Sequence, residues 1–177
     1  MDFDNDDLVD ETSPDLDLDL DLDLDEILDN VQPDFFRQGL DLYQQNKVEE
    51  SITAFQKEIE VNPENANAYN NLGFIYYQKS QWKDTIVACQ KAIEFKPDYA
   101  EAYWNLGFAH EMLEDYESAA VAFKKGLEIQ PGNSEIYTNL GNMYVRLDQY
   151  EEATNAFENA VLFDPENSVS HLSLIHI

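Results

Sequence analysis

Between residues 34 and 163, apolar side chains recur at steps of three and four, the period that lays one apolar stripe along an α-helix. The stripe is interrupted often and regularly, so the chain reads as many short helices. Helices are predicted at about 34–46, 66–79, 100–113 and 134–147, each followed by a second at about 49–60, 82–95, 116–129 and 150–163. The pattern changes near the amino terminus. From Asp15 to Asp25, aspartate alternates strictly with Leu16, Leu18, Leu20, Leu22 and Leu24. A period of two is nominally a strand signal, but aspartate is poor in strands and adjacent carboxylates repel. The apolar side chains here return less than the entropy of ordering the segment, so residues 1–30 are expected to form a disordered tail.

A longer period overlies the helical one. Pro63, Pro97, Pro131 and Pro165 are 34 residues apart, as are Gly39, Gly73, Gly107 and Gly141, and Phe35, Tyr69, Tyr103 and Tyr137. Leu72, Leu106 and Leu140 keep the same step, with Gln38 in that place in the first repeat. In the second helix of each unit, Ser51, Thr85, Ala119 and Ala153 mark a small position. Phe55, Cys89, Phe123 and Phe157 mark a large one. A further small position holds Ala92, Gly126 and Ala160, but Glu58 in the first unit. The glycine admits close approach of the second helix to the first, the small residues admit close stacking of units, and the proline ends the second helix.

An aromatic-x-x-Leu-Gly-x-x-Tyr run, then Ala-x-x-x-Phe, then Pro, on a period of 34, resembles the tetratricopeptide-repeat (TPR) family. The resemblance covers residues 32–167, as repeats 32–65, 66–99, 100–133 and 134–167. It implies an all-α fold, a right-handed superhelical solenoid of stacked antiparallel helix pairs, in which each pair buries its apolar face only against its neighbour. Repeat 1, with Gln38 and Glu58, reads as a terminal capping repeat or one that has drifted. A fifth first-type helix is expected to begin at Ser168. It then stops at residues 172–177, Leu-Ser-Leu-Ile-His-Ile, which read like a translated sequencing adaptor and are expected not to be native. On that reading the chain is a truncated fragment.

Charge narrows the partner class. Thirty-seven acidic residues face 10 basic ones, a net charge of −27. Fourteen of the acids and none of the Lys or Arg lie in residues 1–30, leaving −13 on the remainder. Such a chain repels nucleic acid and anionic membrane and favours basic partners. The single Cys89 excludes an intrachain disulfide framework. With no secretory leader and no long apolar span in view, the expected location is cytoplasmic.

The resemblance also implies where a ligand binds, because in TPR superhelices the first helices line the concave groove. The sixth position of each repeat holds Arg37, Asn71, Asn105 and Asn139. Three amides in register can each donate and accept, which suits the backbone of an extended peptide. A similar ladder occurs in the TPR arm of O-linked N-acetylglucosamine transferase, and the resemblance implies the same use; the plainer role is bonding between neighbouring helices. Phe36, Phe74, Trp104 and Phe108, with Tyr43 and Tyr77 a turn on, are candidate apolar anchors, although some can pack between repeats instead. Asn70 and Asn142 complete the candidate set. Glu101, Glu111 and Glu135 add negative charge, partly offset by Arg146. The expected ligand is therefore a basic segment with apolar anchors.

The family's carboxylate clamp, which holds acidic chaperone C-termini, is not expected. It needs Lys and Arg where this chain has Phe36, Asn70, Trp104 and Thr138, and Asn67, Glu101 and Glu135. No nucleophile, base or metal set converges, so neither catalysis nor a cofactor is expected. His110 stands in a packing position, His171 and His176 near the end, and Cys89 in a core position. Lys57, Lys91 and Lys125 form an outer stripe that reads as a solvated face or, alternatively, as a seat for the acidic tail. The favoured function is a non-catalytic scaffold that binds an extended peptide. The alternative is the substrate-recruiting arm of a larger enzyme, for example a glycosyltransferase.

Overall fold

The computed structural model describes residues 34–166. The expectations for the tail, the fifth helix and residues 172–177 lie outside them. The described residues form eight α-helices and no strand: α1 (Phe35–Gln44), α2 (Val48–Val61), α3 (Ala66–Gln78), α4 (Trp82–Phe95), α5 (Ala100–Met112), α6 (Tyr116–Ile129), α7 (Ser134–Arg146) and α8 (Tyr150–Phe163). Each odd helix packs against the even helix that follows, and each even helix against the next odd one; α3 also touches α5. The result is a solenoid of four antiparallel helix pairs.

Each boundary has a local cause. Asp34, Asn65, Asp115 and Asn133 cap α1, α3, α6 and α7, their side-chain oxygens accepting backbone N–H bonds from the first turn. The even helices end two residues before Pro63, Pro97, Pro131 and Pro165, since the residue before proline is pushed out of the helical region. The odd helices end one or two residues sooner than the apolar pattern predicts. Asn46, Ser80, Glu114 and Asp148, again 34 apart, have φ between 57° and 61°. In each turn this residue's N–H bonds back three residues, and the next N–H bonds back five, as from Asn46 to Tyr43 (2.9 Å) and from Lys47 to Leu42 (2.9 Å). That is the Schellman arrangement, which satisfies the last carbonyls of a helix and reverses the chain.

Inside each pair, a glycine of the odd helix faces the large position of the even one. A methyl group added at Gly39, Gly107 or Gly141 would lie 2.7, 2.6 or 2.5 Å from the ring of Phe55, Phe123 or Phe157. All three rings are fully buried. In the second pair, Cys89 takes the place of the ring and still lies 2.7 Å from such a methyl at Gly73. The first residue of each odd helix's aromatic run closes the pair at its other end: Tyr69 stacks on Phe95 (5.7 Å) and Tyr137 on Phe163 (5.6 Å).

Glu58 is not a water-facing residue of a capping repeat. It is 5 % exposed, and its carboxylate accepts from Asn62 Nδ2 (2.9 Å) and Asn65 Nδ2 (2.7 Å). Because Asn65 also caps α3, this buried carboxylate ties the first pair to the start of the second.

Two substitutions test these constraints by urea denaturation. Gly107→Ala gains about 1 kcal/mol of helix propensity but overpacks the Phe123 ring, so a net loss of about 1 kcal/mol or more is expected. Glu114→Gly removes a left-handed strain of roughly 1–2 kcal/mol, against a smaller entropic loss, so a net gain of up to about 1 kcal/mol is expected. A stabilised Gly107→Ala would remove the close-approach account, and a destabilised Glu114→Gly the strain account.

Candidate functional site

The odd helices carry the candidate residues, and the structure divides these into two groups. Asn71 is half-buried and donates from Nδ2 to the carbonyl of Asn67 (2.8 Å), one turn back on α3. Its amide is thereby held with Oδ1 as the remaining acceptor. Asn105 instead donates sideways to Asn70 Oδ1 (3.0 Å), and Asn70 donates to the Tyr99 hydroxyl (3.3 Å). Asn70 and Asn105 are thus a half-buried bridge from the second pair to the third, the plainer role open to an asparagine there. Asn139 and Asn142 on α7 are half-buried, and Arg37 is exposed.

The aromatic residues separate in the same way. Phe74 is 39 % exposed and meets the edge of Tyr43 (6.0 Å), whose hydroxyl donates to Gln78 Oε1 (2.7 Å). Tyr77 lies against Trp82 (5.1 Å) and Phe108 (6.0 Å). These contacts make a rail of half-buried and exposed rings along α1, α3 and α5. Phe36 and Phe108 also lean inward, on Phe55 (5.7 Å) and Phe123 (5.0 Å). Trp104 turns into the seam between α5 and α6. Its indole occupies the space that a methyl group on Gly126 would need, and its Nε1 is buried without a hydrogen-bond partner. The glycine at 126, where the second and fourth repeats have alanine, is therefore the complement of Trp104.

The odd helices carry little of the chain's charge. Asp41, Glu101, Glu111 and Glu135 face Arg37 and Arg146, and α3 has no charged residue at all. Arg146 is held over the ring of Tyr116 (5.4 Å). Burial pushes the Glu111 carboxyl above its ordinary range, with Arg146 opposing. Burial, then Glu111, raises the Tyr77 phenol. Glu111 thus lies within reach of both α3 and α7, beside a polar cleft of about 550 Å³ that Asn142, Tyr116 and Arg146 also line.

Residues outside this strip have structural partners. His110 Nδ1 lies 3.2 Å from a carboxylate oxygen of Asp115, the cap of α6. A hydrogen bond from Ser118 is the main cause of the lowered Asp115 pKa. Burial pushes the Cys89 thiol up to about 12. Lys91 and Lys125 of the outer stripe are ion-paired with Glu94 (2.7 Å) and Glu128 (2.8 Å), and Lys57 lies over Phe35 (5.6 Å). Among the described residues no group of His, Cys, Asp and Glu could hold a metal ion, and no helix is long and apolar enough to cross a membrane.

Family models match the chain consecutively: one described as TPR repeat over residues 39–80 and 75–114, and one described as tetratricopeptide repeat over 112–174. No curated protein matches it in sequence. Solved structures do match in fold. A crystal structure of MamA is 23 % identical, with a TM-score of 0.73 over 77 % of this chain and 80 % of that one. MamA from Desulfovibrio magneticus RS-1 (41-end) is 22 % identical, with a TM-score of 0.67 over 76 % of each chain. The Arabidopsis OM64 TPR domain is 22 % identical, with a TM-score of 0.59 over 63 % of this chain and 92 % of that domain.

The division of the asparagines can be measured. Asn105→Ala breaks a half-buried bridge and is expected to lower stability by about 1–2 kcal/mol, whereas Asn71→Ala removes only a bond within one helix and should change it by less than about 0.5. Equal losses in chemical denaturation would contradict the division. Cys89 should resist a thiol reagent in the folded chain and react on unfolding.

Proposed function

The chain belongs to the tetratricopeptide-repeat family, and from that premise we propose that it is a non-catalytic scaffold which holds an extended segment of a partner protein along its odd helices. The fold itself supports a protein-interaction role. The observation that carries the finer reading is the strip formed by Asn71, Phe74, Tyr77 and Phe108: an uncharged row of one fixed amide and partly exposed rings on consecutive repeats. An extended peptide offers a backbone donor or acceptor at every residue and side chains on alternate sides. The strip offers the matching set, with Asn71 Oδ1 accepting and the rings receiving apolar side chains. Asn139 and Asn142 extend it onto α7, and Arg37 stands at its other end.

Magnitudes assign the roles. A neutral amide contact contributes about 0.5–1.5 kcal/mol, so even three give roughly 2–5 in total. A micromolar complex needs about 8 kcal/mol. The aromatic rail must supply the difference, and Phe74 offers the most surface for it. The small number of charges on the odd helices, Asp41, Glu101, Glu111 and Glu135 against Arg37 and Arg146, favours a segment whose apolar anchors dominate, and the acidic excess places its basic residues toward Glu101 and Glu111 on α5. Long-range attraction for a basic partner comes from the rest of this acidic chain.

The experiment is a peptide-array screen with the full chain beside Asn71→Ala/Asn139→Ala and Phe74→Ala variants, each verified as folded by thermal melting. Apolar-basic extended peptides should bind the parent. The Phe74→Ala change should weaken them by 10-fold or more, and the double asparagine change by several-fold. Undiminished binding by both variants would reject the groove.

A further inference from the structure

The four repeats differ in one seat on the even-helix face. Lys57, Lys91 and Lys125 stand at the same place in the first three repeats. Each lies toward an aromatic pair or residue of its own repeat. Lys57 Nζ is 5.6 Å from the centre of the Phe35 ring, and Lys91 Nζ is 5.9 Å from that of Phe95, the ring stacked on Tyr69. Lys125 lies near Tyr103, and it bonds Glu128 as Lys91 bonds Glu94. These distances fall within the roughly 6 Å over which an ammonium is attracted by an aromatic face.

The fourth repeat has the aromatic pair, Tyr137 stacked on Phe163, without the lysine. Asn159 takes its place and turns back on its own helix, donating from Nδ2 to the carbonyl of Asn155 (2.7 Å). A cleft of about 410 Å³ opens there between α6, α7 and α8. Its floor is Leu127, Tyr137, Leu140, Tyr144 and Ala156. Glu128, Glu152 and Lys124 stand at its walls, so the lining is acidic by one charge. Leu162, 71 % exposed, replaces the glutamate that pairs with the lysine in the second and third repeats. The counter-charge must therefore come across the cleft, from Glu152, since Glu128 is already paired with Lys125. Glu152 lies close enough to Tyr144 to raise its phenol pKa, after burial, the larger cause.

We propose that this cleft is a second binding site, distinct from the odd-helix groove, and that it takes a lysine side chain of a partner protein. The aliphatic stem lies on Leu140 and Ala156, the ammonium faces Tyr137, and Glu152 supplies the countercharge. The chain itself points to the occupant, because a lysine of its own stands at the rim of the homologous position in each of the three preceding repeats, within 6 Å of an aromatic ring in the first two. Long side chains of this kind bury their methylenes and keep the charged end wet, which matches an apolar floor under an acidic, open rim.

The test is an NMR chemical-shift titration of the full chain at physiological salt with N-acetyl-lysine N-methylamide as probe. N-acetyl-norleucine N-methylamide, which has a similar stem and no charge, is the control. The lysine probe should shift Tyr137, Leu140, Asn155 and Asn159 saturably, and the norleucine probe should bind at least 10-fold more weakly. Asn159→Lys fills the seat from within and should abolish the shifts; Glu152→Gln should weaken the lysine probe several-fold and leave the norleucine probe unchanged. Equal binding of the two probes would show an apolar pocket and overturn the proposal. So would shifts that persist in Asn159→Lys, which report only the diffuse attraction of cations to an acidic chain. The outcome is independent of the peptide-array result, since none of these residues belongs to the odd-helix strip.

Discussion

The fold depends on one contact made four times, that of a glycine on the odd helix with the large residue at the centre of the even one. A side chain on the glycine would push the two helices apart, and all other spacings follow from this one. With the helices this close, the aromatic at the start of the odd helix reaches the end of the even helix, as Tyr69 reaches Phe95 and Tyr137 reaches Phe163. The small residues Ser51, Thr85, Ala119 and Ala153, all 0 % exposed, complete the close fit. Ser51 shows how tight this is, since its hydroxyl donates to the carbonyl of Gly39 itself (2.7 Å). The contact tolerates Cys89 in place of a ring because the constraint is on the glycine. A smaller partner loosens the pair, whereas a larger residue at the glycine would separate it.

A solenoid built this way has two unlike faces, and the charge follows them. Lysines are confined to the even helices and the turns, where Lys91 and Lys125 pair with glutamates on the same helix. The odd helices keep amides and rings, with α3 entirely uncharged. The acidity that dominates the sequence as a whole is thus absent from α3, at the centre of the proposed peptide strip, and returns with Glu101 and Glu111 on α5. Net charge describes the long-range field of the chain and says little about one face of it.

Much of this was legible in the residues alone. The step of 34 located each of the eight described helices within two residues, because the glycine, the proline and the large central residue each answer to the geometry of a pair. What escaped was governed by neighbours in space. Nothing in the sixth-position register distinguishes Asn71, bonded to its own helix, from Asn105, bonded across to Asn70. The difference arises because Asn105 follows a repeat whose fifth position is an amide, Asn70, whereas Asn71 follows one whose fifth position is Phe36. The inward turn of Trp104 was foreshadowed only by Gly126 standing where the second and fourth repeats carry alanine, a pairing visible once the two helices are seen in contact. Glu58 looked like a departure from pattern and is a buried acceptor for Asn62 and Asn65, partners that no periodicity connects. The early ends of the odd helices rest on left-handed residues such as Ser80 and Glu114, neither of them a residue type that signals that conformation.

The same neighbours determine how a partner can be held. A groove of flexible side chains must order them on binding, at roughly 0.5–1.5 kcal/mol for each rotamer-rich chain. Along the proposed strip that ordering is largely complete beforehand. Asn71 is fixed by the Asn67 carbonyl, Tyr43 by Gln78 and by Phe74, and Tyr77 by Trp82 and Phe108. Each of these restraints is made within the array, at the junction of one repeat with the next or within a single pair. Stacking the repeats therefore does two things with the same contacts: it buries the apolar faces that no pair can bury alone, and it sets the strip in a fixed conformation. If the proposed strip holds a peptide, loosening the array at one junction would then weaken its contacts on both sides of that junction, even where no residue of the strip has changed.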